Sequence, residues 1–383
     1  MQVYLDNSAT TRPSDAVVDA MCESMRSGWY NPSALYRPAM EAEKKLTHAR
    51  EAVLAAAGAK GQRCIFTSGG TEADNIAILG FLRTLKKGGR VLFTSVEHPA
   101  VSACAGEIER LGFTAEEIAV DKRGAVDLEK LEAQLDDSVQ LICVMQVNNE
   151  SGAVQPIEEI VSLRNRICPK CAIHVDGVQG FLRVPLMFNK LGIQSYALSG
   201  HKIHAPKGIG ALIVAKNHRI NPIVFGGGQE ENYRSGTENT PGIVALGTAV
   251  ETYPADGVSR MKACKRYLAE NLTARIPGSV INGPALEDSA CSPHVLNISL
   301  PPVRSQTMLF ALEGEGIYVS AGSACASKKQ KLSPVLSAMG VDPMMADCAL
   351  RFSFSPENTI EQMDYVIEKI TAQYEVLKKF VRR

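Results

Sequence analysis

Short apolar segments alternate with amphipathic segments along residues 64–214, and this alternation most constrains the fold of the chain. The apolar runs are continuous, which is typical of strands that are covered on both faces. Strands separated by helices favour a mainly parallel sheet with right-handed crossovers. We therefore predict strands at Cys64–Thr67, Val91–Ser95, Glu117–Val120, Val139–Val147, Ala172–Asp176, Ser195–Leu198 and Gly210–Val214.

The pattern changes near Pro254, after which shorter strands and helices follow one another. We predict strands at Val295–Leu300, Ile317–Val319 and Ala349–Phe354, with helices between them. A chain of 383 residues is long enough to form two hydrophobic cores. The expected fold class is α/β, with an N-terminal segment (1–14), a large domain (15–254) and a smaller α+β domain (255–383).

The composition is that of an ordinary soluble protein, with 41 basic and 41 acidic residues and a formal net charge of zero. This balance gives no reason to expect a nucleic-acid or membrane partner. The start of the chain is polar, and no apolar run reaches the roughly 18 residues that a membrane span needs. We expect a cytoplasmic protein.

Ten cysteines are scattered along the chain and do not form the spacing of a disulfide framework. Cys168-Pro169-Lys170-Cys171 has the spacing of a metal or redox pair, but a structural zinc site needs four ligands and no second pair is present. We expect no metal site. The alternative interpretation is a helix that Pro169 ends before the next strand begins.

Lys202 lies at the end of an apolar segment, within Ser199-Gly200-His201-Lys202 and just before the glycine-rich Lys207-Gly208-Ile209-Gly210. These neighbours indicate a tight turn rather than an exposed helix face. A lysine in a partly desolvated turn loses its proton more easily and attacks carbonyl groups as a Schiff-base lysine does. The aldehyde of pyridoxal phosphate (PLP) is the best-known such carbonyl, so the chain should contain the other parts of a PLP site.

Two further segments match those parts. Asp176 ends an apolar segment and suits the acidic partner that the PLP ring nitrogen needs, with Gln179 one turn later. Gly70 and Thr71 lie where a strand leads into a helix, and a helix N-terminus suits an anion such as the PLP phosphate. Thr71, His98, Asn149, Asp176 and Lys202 all follow predicted strand ends, which is where an open parallel sheet binds its ligand.

Five motifs in this order resemble those of cysteine desulfurases, a group of class V, fold-type I PLP enzymes. They are Thr67-Ser68-Gly69-Gly70-Thr71-Glu72-Ala73-Asp74-Asn75, Asn148-Asn149-Glu150-Ser151-Gly152, His174-Val175-Asp176-Gly177-Val178-Gln179, Ser199-Gly200-His201-Lys202 and Arg234-Ser235-Gly236-Thr237-Glu238-Asn239. The resemblance extends from Tyr4 to Ser353, nearly the whole chain. It implies the fold-type I PLP-dependent transferase fold.

The resemblance also assigns roles to single residues. It makes Lys202 the residue that binds PLP covalently and moves the substrate proton, and Asp176 the partner of the ring nitrogen. Gln179 is implied to bind the ring hydroxyl, and His98 to stack on the ring and shuttle a proton. The remaining implied cofactor ligands are Gly70, Thr71, Asn149, Ser199, His201 and, toward the phosphate of a neighbouring subunit, Thr237.

On the substrate side, the resemblance makes Arg351 the residue that binds the substrate carboxylate, with Asn149 beside it. It makes Cys325, in a segment of small residues, the nucleophile that takes the sulfur of L-cysteine as a persulfide and releases L-alanine. The implied partners are L-cysteine, a second copy of the chain in a homodimer, and a sulfur-acceptor protein such as an iron–sulfur scaffold or a tRNA-thiolation protein. Gly177 stands where alanine is more usual, and we expect that departure to be harmless.

Two alternatives to a cysteine desulfurase remain open from the sequence. One is a selenocysteine lyase or another class V lyase or aminotransferase, which Cys325 distinguishes because desulfuration needs that thiol. The other is an inactive PLP-binding subunit of an assembly. The filled catalytic positions argue against the second alternative.

Overall fold

The computed structural model describes residues 1–321 and 332–380. Within these ranges the strands are β1 Val3–Tyr4, β2 Arg63–Thr67, β3 Arg90–Thr94, β4 Thr114–Ile118, β5 Val139–Met145, β6 Ala172–Asp176, β7 Ser195–Ser199, β8 Gly210–Val214, β9 Val280–Ile281, β10 Val295–Ser299, β11 Ile317–Tyr318, β12 Ser320–Ala321 and β13 Ala349–Ser353.

The same ranges contain helices of very different lengths. They are α1 Asp15–Ser27, α2 Arg37–Ala56, α3 Gly70–Leu82, α4 Pro99–Ser102, α5 Ala105–Arg110, α6 Leu128–Gln134, α7 Ile157–Ile167, α8 Phe188–Leu191, α9 Thr240–Glu251, α10 Gly257–Arg275, α11 Ser305–Gly314, α12 Pro334–Ala338, α13 Pro343–Asp347 and α14 Ile360–Leu377. Three single 3₁₀ turns lie at Gly200–Lys202, Glu230–Asn232 and Lys378–Phe380.

A seven-stranded sheet with the order β2-β8-β7-β6-β5-β3-β4 forms the centre of the larger part of the molecule. Strand β8 runs antiparallel to both of its neighbours, and the other adjacent pairs are parallel. Six of the seven strands therefore point the same way. Their carboxyl ends meet at one edge of the sheet, as the sequence predicts for a mainly parallel sheet.

Helices cover both faces of this sheet, which explains the continuous apolar runs. Leu141 and Cys143 of β5 belong to the core shared with α3 and α5, whereas Ile142 and Val144 belong to the core shared with α2, α7 and α9. Successive side chains of a strand point to opposite faces. Every second residue of β5 is therefore buried by a different layer of helices.

A second, smaller sheet with the order β12-β13-β10-β9 is antiparallel throughout. Helices α10, α11 and α14 pack on it and bury Leu268, Phe352 and Ile367 in a separate core. The start of the chain joins this core, because β1 pairs with β11 and because Val3 and Leu5 are fully buried in it. The N-terminal segment therefore packs with residues more than 250 positions later in the chain.

Most predicted elements agree with the structure to within two or three residues at each end, and the exceptions lie at sheet edges. Strand β4 spans Thr114–Ile118 rather than 117–120, because it is an edge strand whose partly exposed residues lack an apolar run. The strand predicted at 317–319 corresponds to β11 alone, and the next strand, β12, follows after one residue and belongs to a different sheet. Helix α13 was not predicted. Among the described residues, no helix combines the length and apolar character needed to cross a bilayer.

Candidate active site

The N-terminus of α3 approaches the strand ends of the large sheet very closely, and glycines permit this approach. A Cβ atom added at Gly210 would lie 2.7 Å from the Cα atom of Gly69, and one added at Gly70 would lie 2.6 Å from Val178. Neither distance is tolerated between real atoms. The first backbone N–H groups of α3 therefore lie against the ends of β6, β7 and β8, next to Ser199.

Lys202 ends the 3₁₀ turn that follows β7, and its side chain is largely withdrawn from water. Its Nζ atom donates to the backbone carbonyls of Ser8 and Ala9, the latter at 2.8 Å. Burial, together with the positive charges of Arg351 and Arg183, lowers the pKa of Lys202 to about 8. A lysine in this state has a neutral amine available near physiological pH.

Asp176 is the last residue of β6 and is buried, with its carboxylate accepting the backbone N–H of Val178 at 2.9 Å. Burial raises the pKa of Asp176. His98 caps α4, and its Nδ1 atom accepts the N–H of Ala100 at 3.1 Å. Burial lowers the pKa of His98, while the charges of Asp176 and Lys202 act on it in opposite directions. The three groups therefore share one electrostatic environment.

Gln179 lies one turn after Asp176 and reaches the N-terminal segment. Its Nε2 atom donates to the carbonyl of Ser8 at 3.0 Å, which is the carbonyl that also accepts from Lys202. Arg183 donates to the Gln179 side chain at 3.2 Å and also to the carbonyl of Lys202. Arg183 therefore fixes the lysine turn relative to the turn that follows β6.

Arg351 projects from β13 of the small sheet and is 4% exposed. Its Nη2 atom donates to Asp6 at 2.7 Å and its Nη1 atom donates to the carbonyl of Asn149 at 3.1 Å. Its Nε atom is buried without a partner among the described residues. A guanidinium that a carboxylate and a carbonyl hold in place is the kind of group that binds a carboxylate ligand.

The residues predicted to bind a phosphate lie on two sides of the α3 N-terminus. Ser199 is buried at the end of β7, and His201 contacts Thr10 Oγ1 through its Nδ1 atom at 3.2 Å. Burial lowers the pKa of His201 to about 4, so its ring is neutral at pH 7. Thr237 is exposed and lines a cavity of about 220 Å³ that also includes Ser68.

Gly177, which stands where alanine is more usual, packs against Tyr196 of the adjacent strand β7. A Cβ atom at Gly177 would lie 1.9 Å from the Tyr196 ring, whose hydroxyl donates to Gln146 at 2.8 Å. The aromatic ring therefore fills the space that a methyl group takes when alanine follows the aspartate. This chain needs glycine at position 177 for as long as Tyr196 is present.

Cys325 lies outside the described residues, and its prediction as the nucleophile stays a prediction. The described residues on both sides of it are near Arg351. Ser320 of β12 is the register partner of Arg351, and Ser333 donates to Glu150 in the turn that contains Asn149.

Cys168 and Cys171 are buried thiols at the end of α7 and the start of β6, which agrees with the interpretation of a helix end. Among residues 1–321 and 332–380, no group of three His, Cys, Asp or Glu side chains is placed to hold a metal ion.

The donor set fits the groups of PLP. The α3 N-terminus suits its phosphate, the Asp176 carboxylate suits its ring nitrogen, and the partly neutral Lys202 amine suits its aldehyde. The glycine contacts described above leave no room for side chains around this cradle. The residues present are therefore compatible with the cofactor that the sequence predicts.

Several residues at this edge were not singled out from the sequence. Asp6 and the carbonyls of Ser8 and Ala9 hold Arg351 and Lys202, and Arg183 connects two turns. A backbone carbonyl has no sequence signature. The only sequence signal for these residues was that Asp6-Asn7-Ser8 lies within the part of the chain that resembles cysteine desulfurases. The resemblance assigns no role to those three residues.

Comparisons with known proteins agree with this geometry. Residues 3–366 match the profile of the Aminotransferase class-V family. The chain is 38% identical over 370 residues to a cysteine desulfurase of Nostoc sp., covering 96% of this chain and 91% of the relative. A solved NifS-like protein superposes with a TM-score of 0.91 at 34% identity, covering 98% of this chain and all of that one.

A further solved structure, SspA in complex with cysteine, superposes with a TM-score of 0.81 at 30% identity, covering 94% of this chain and all of that one. The matches extend over nearly the full length of both partners in each pair, so they include the sheet edge with Lys202 and Asp176 as well as the strand with Arg351. The chain therefore belongs to the class V aminotransferase family and, within that family, to the cysteine desulfurases.

Proposed function

We propose that this protein is a PLP-dependent cysteine desulfurase that converts L-cysteine to L-alanine and leaves the sulfur as a persulfide on Cys325. The observation that carries the proposal is the position of Arg351 relative to Lys202. Both side chains contact the same N-terminal segment, the arginine at Asp6 and the lysine at Ser8 and Ala9. A carboxylate-binding group therefore lies next to an amine that is poised to lose its proton.

The cofactor would be held by Lys202, Asp176 and Gln179, with His98 and Asn149 beside the ring and Gly70, Thr71, Ser199 and His201 at the phosphate. When bound, PLP supplies an aldehyde for the substrate amine and a ring that withdraws electrons from the substrate α-carbon. The buried Asp176 carboxylate favours a protonated ring nitrogen, because an opposite charge nearby stabilises the charged form.

Lys202 would then move the proton of the substrate α-carbon. Its lowered pKa gives an amine that accepts and returns a proton near neutral pH. Arg351 would bind the substrate carboxylate through its guanidinium, which Asp6 and the Asn149 carbonyl keep in place.

The sulfur acceptor would be the Cys325 thiolate. Its sulfur attacks the substrate sulfur, the new S–S bond forms, and the C–S bond of the substrate breaks with its electron pair remaining on carbon. Support comes from the flanking residues Ser320 and Ser333, which place both ends of the segment close to Arg351 and Glu150.

We further propose a cytoplasmic homodimer in which Thr237 reaches the phosphate of the partner's site, since Thr237 is exposed next to the chain's own Ser68. The persulfide would pass to an acceptor protein, either an iron–sulfur scaffold or a tRNA-thiolation protein. Labelled cysteine, incubated with the enzyme and each class of acceptor, distinguishes the two by the protein that gains the label.

The test of the function is the release of alanine and sulfide from L-cysteine by pure protein with PLP and a reductant. We expect both products in equal amounts, and we expect Cys325→Ala to abolish them while Cys22→Ala, on the partly exposed helix α1, has no effect. Desulfuration that survives Cys325→Ala would refute the assignment of the nucleophile. Cleavage of selenocysteine but not cysteine by the unchanged protein would favour the lyase alternative.

A further inference from the structure

Helix α10, which packs on the small sheet, carries a lysine that is buried against a cysteine. Lys265 is 4% exposed, its Nζ atom lies 2.9 Å from Cys291 Sγ, and it donates to the carbonyl of Ser292 at 2.7 Å. Burial lowers the pKa of Lys265, the nearby sulfur of Cys291 raises it, and the charge of Lys262 lowers it, while no carboxylate of the described residues is among the groups that shift it. A buried cation without a carboxylate partner is costly.

We propose that Lys265 and Cys291 form a reactive thiol site, separate from the PLP site, at which Cys291 reacts with small disulfides such as cystine. This inference does not depend on the proposed desulfurase activity. It rests on the short Nζ–Sγ distance, the burial of the lysine and the partial exposure of the cysteine.

The pair activates the thiol wherever its shared proton lies. If the proton is on Lys265, the ammonium stabilises a Cys291 thiolate, and the ion pair offsets the cost of burying the lysine charge. If the proton is on Cys291, the neutral amine 2.9 Å away accepts it as the sulfur attacks. In both cases the lysine amine assists the sulfur, either by stabilising the thiolate or by accepting the proton of the thiol.

Cys291 also differs from most other cysteines in its exposure. Among the described cysteines, only Cys22 and Cys291 are partly exposed, and the others are buried. Cys22 lies on α1 and forms no hydrogen bond with a described residue through its thiol. The two cysteines are therefore matched in exposure and differ in the neighbouring lysine.

The reaction is a thiol–disulfide exchange. Cys291 Sγ attacks one sulfur of the disulfide, a new S–S bond forms, and the original S–S bond breaks. The leaving thiolate takes up the proton that Lys265 holds, so no further oxidant or reductant is needed. The product is a mixed disulfide on Cys291, and the neutralised lysine loses its sulfur partner.

The modified residue would lie against the turn that supports Arg351. The N–H of Ser292 donates to the carbonyl of Gly152 at 2.9 Å, and the N–H of Val154 donates to the carbonyl of Ala290 at 2.8 Å. The carbonyl of Asn149, three residues before Gly152, accepts from Arg351. A group added to Cys291 is therefore close to the backbone that positions the carboxylate-binding arginine.

The experiment is a time course of the folded protein with excess cystine, followed by peptide mass spectrometry that reads each cysteine separately. We expect the cysteinyl group to appear on Cys291 at least about tenfold faster than on Cys22, because the Lys265 amine within hydrogen-bond distance of the sulfur assists its attack. Equal rates at the two cysteines would overturn the proposal, even without any variant.

Two variants on the same helix then test the lysine. Lys265→Met removes the amine but keeps an apolar stem, and we expect it to slow Cys291 to the rate of Cys22. Arg275→Gln changes an exposed residue at the far end of α10 that is not among the groups shifting the pKa of Lys265, and we expect it to leave the rate at Cys291 unchanged. A Lys265→Met protein that folds, as judged by its circular dichroism, and still reacts rapidly at Cys291 would refute the role of the lysine.

Discussion

At the scale of single residues, the ionisation of Lys202 sets the chemistry that the site can perform. With a pKa of about 8, roughly one amine in ten is neutral at pH 7, whereas at the ordinary value of a lysine fewer than about one in a thousand is neutral. Desolvation is the largest cause, and the positive charge of Arg351 adds to it. The arginine that we propose binds the substrate therefore also lowers the pKa of the lysine.

This coupling predicts a pH dependence for PLP binding to the cofactor-free protein. Only the neutral amine attacks an aldehyde, so the rate should rise with pH and level off above about pH 8, where Lys202 is deprotonated. Arg351→Gln removes a charge that lowers this pKa, so the midpoint should move to higher pH. Stopped-flow absorbance of bound PLP measures both profiles.

Arg304→Gln is the matched control for this prediction, because Arg304 is exposed and pairs with Asp347. We expect its midpoint to equal that of the unchanged protein. A midpoint near pH 10 in the unchanged protein would mean that Lys202 behaves as an ordinary solvated lysine.

The residues with distinctive chemistry could be predicted from the sequence, but the residues that hold them in place by hydrogen bonds could not. Lys202, Asp176 and Arg351 belong to recognisable motifs, and the structure places each of them at a strand or strand end at one edge of the molecule. Asp6 and the Ser8 carbonyl were missed because their partners lie 345 and 194 positions away. No local pattern reports such a pairing.

At the scale of elements, β6 and the turn after it depend on one packing contact with β7. Tyr196 is buried beside Gly177, which follows Asp176 in the chain, and it pairs across the sheet with Val175, which precedes Asp176. Overfilling a packed core forces side chains out of their preferred rotamers. The conformation of the Asp176 turn is therefore tied to the identity of the residue at position 196.

We predict that Gly177→Ala destabilises the protein by about 3 kcal/mol, near the upper end of the usual cost of overpacking. The cause is the 1.9 Å approach of the new methyl group to the Tyr196 ring. Chemical denaturation measures the change. Combining Gly177→Ala with Tyr196→Val should cost less than the sum of the two single changes by at least about 1 kcal/mol.

Gly106→Ala is the control, since a Cβ atom at that helical glycine of α5 meets no other atom within 4 Å. It should be neutral or slightly stabilising. Additive effects of the changes at positions 177 and 196 would show that the two residues do not share the space.

Strand prediction succeeded where helices bury both faces and was least accurate at the margins. The bounds of β6 and β8 agree with the sequence interpretation because their residues are all buried. The edge strand β4 contains Thr114 and Glu117, which remain exposed, so it has no continuous apolar signal. The short strands of the small sheet are defined by pairing partners that a local pattern does not contain.

At the scale of the whole molecule, the large sheet has a hydrophobic core on each face, the small sheet has a core of its own, and the N-terminal segment belongs to the core of the small sheet. Val3 and Leu5 lie in the core of the small sheet, while Ser8 and Ala9, a few residues later, contact Lys202 at the end of the large sheet. The segment therefore connects the core of the small sheet with the end of the large sheet. The sequence predicted two domains but gave no indication that residues 1–14 pack with the smaller one.

We predict that Leu5→Ala weakens the small sheet more than the large one. Replacing a fully buried leucine by alanine usually costs about 2–5 kcal/mol. Hydrogen exchange should accelerate in β10 and β13, which border this core, and much less in β6. Val18→Ala, at an exposed position of α1, is the control and should change neither. Equal acceleration of hydrogen exchange in β6 would mean that the small sheet and the large sheet unfold as one unit.

The contact between Asp6 and Arg351 has a consequence for biosynthesis. The two residues are 345 positions apart, so the aspartate leaves the ribosome long before the arginine is synthesised. Until then the first residues have neither β11 nor β13 to pair with, and the contact between Asp6 and Arg351 cannot form. Because contacts between distant residues form late and slowly, a nascent chain should acquire its seven-stranded sheet well before it acquires the ability to hold an amino acid.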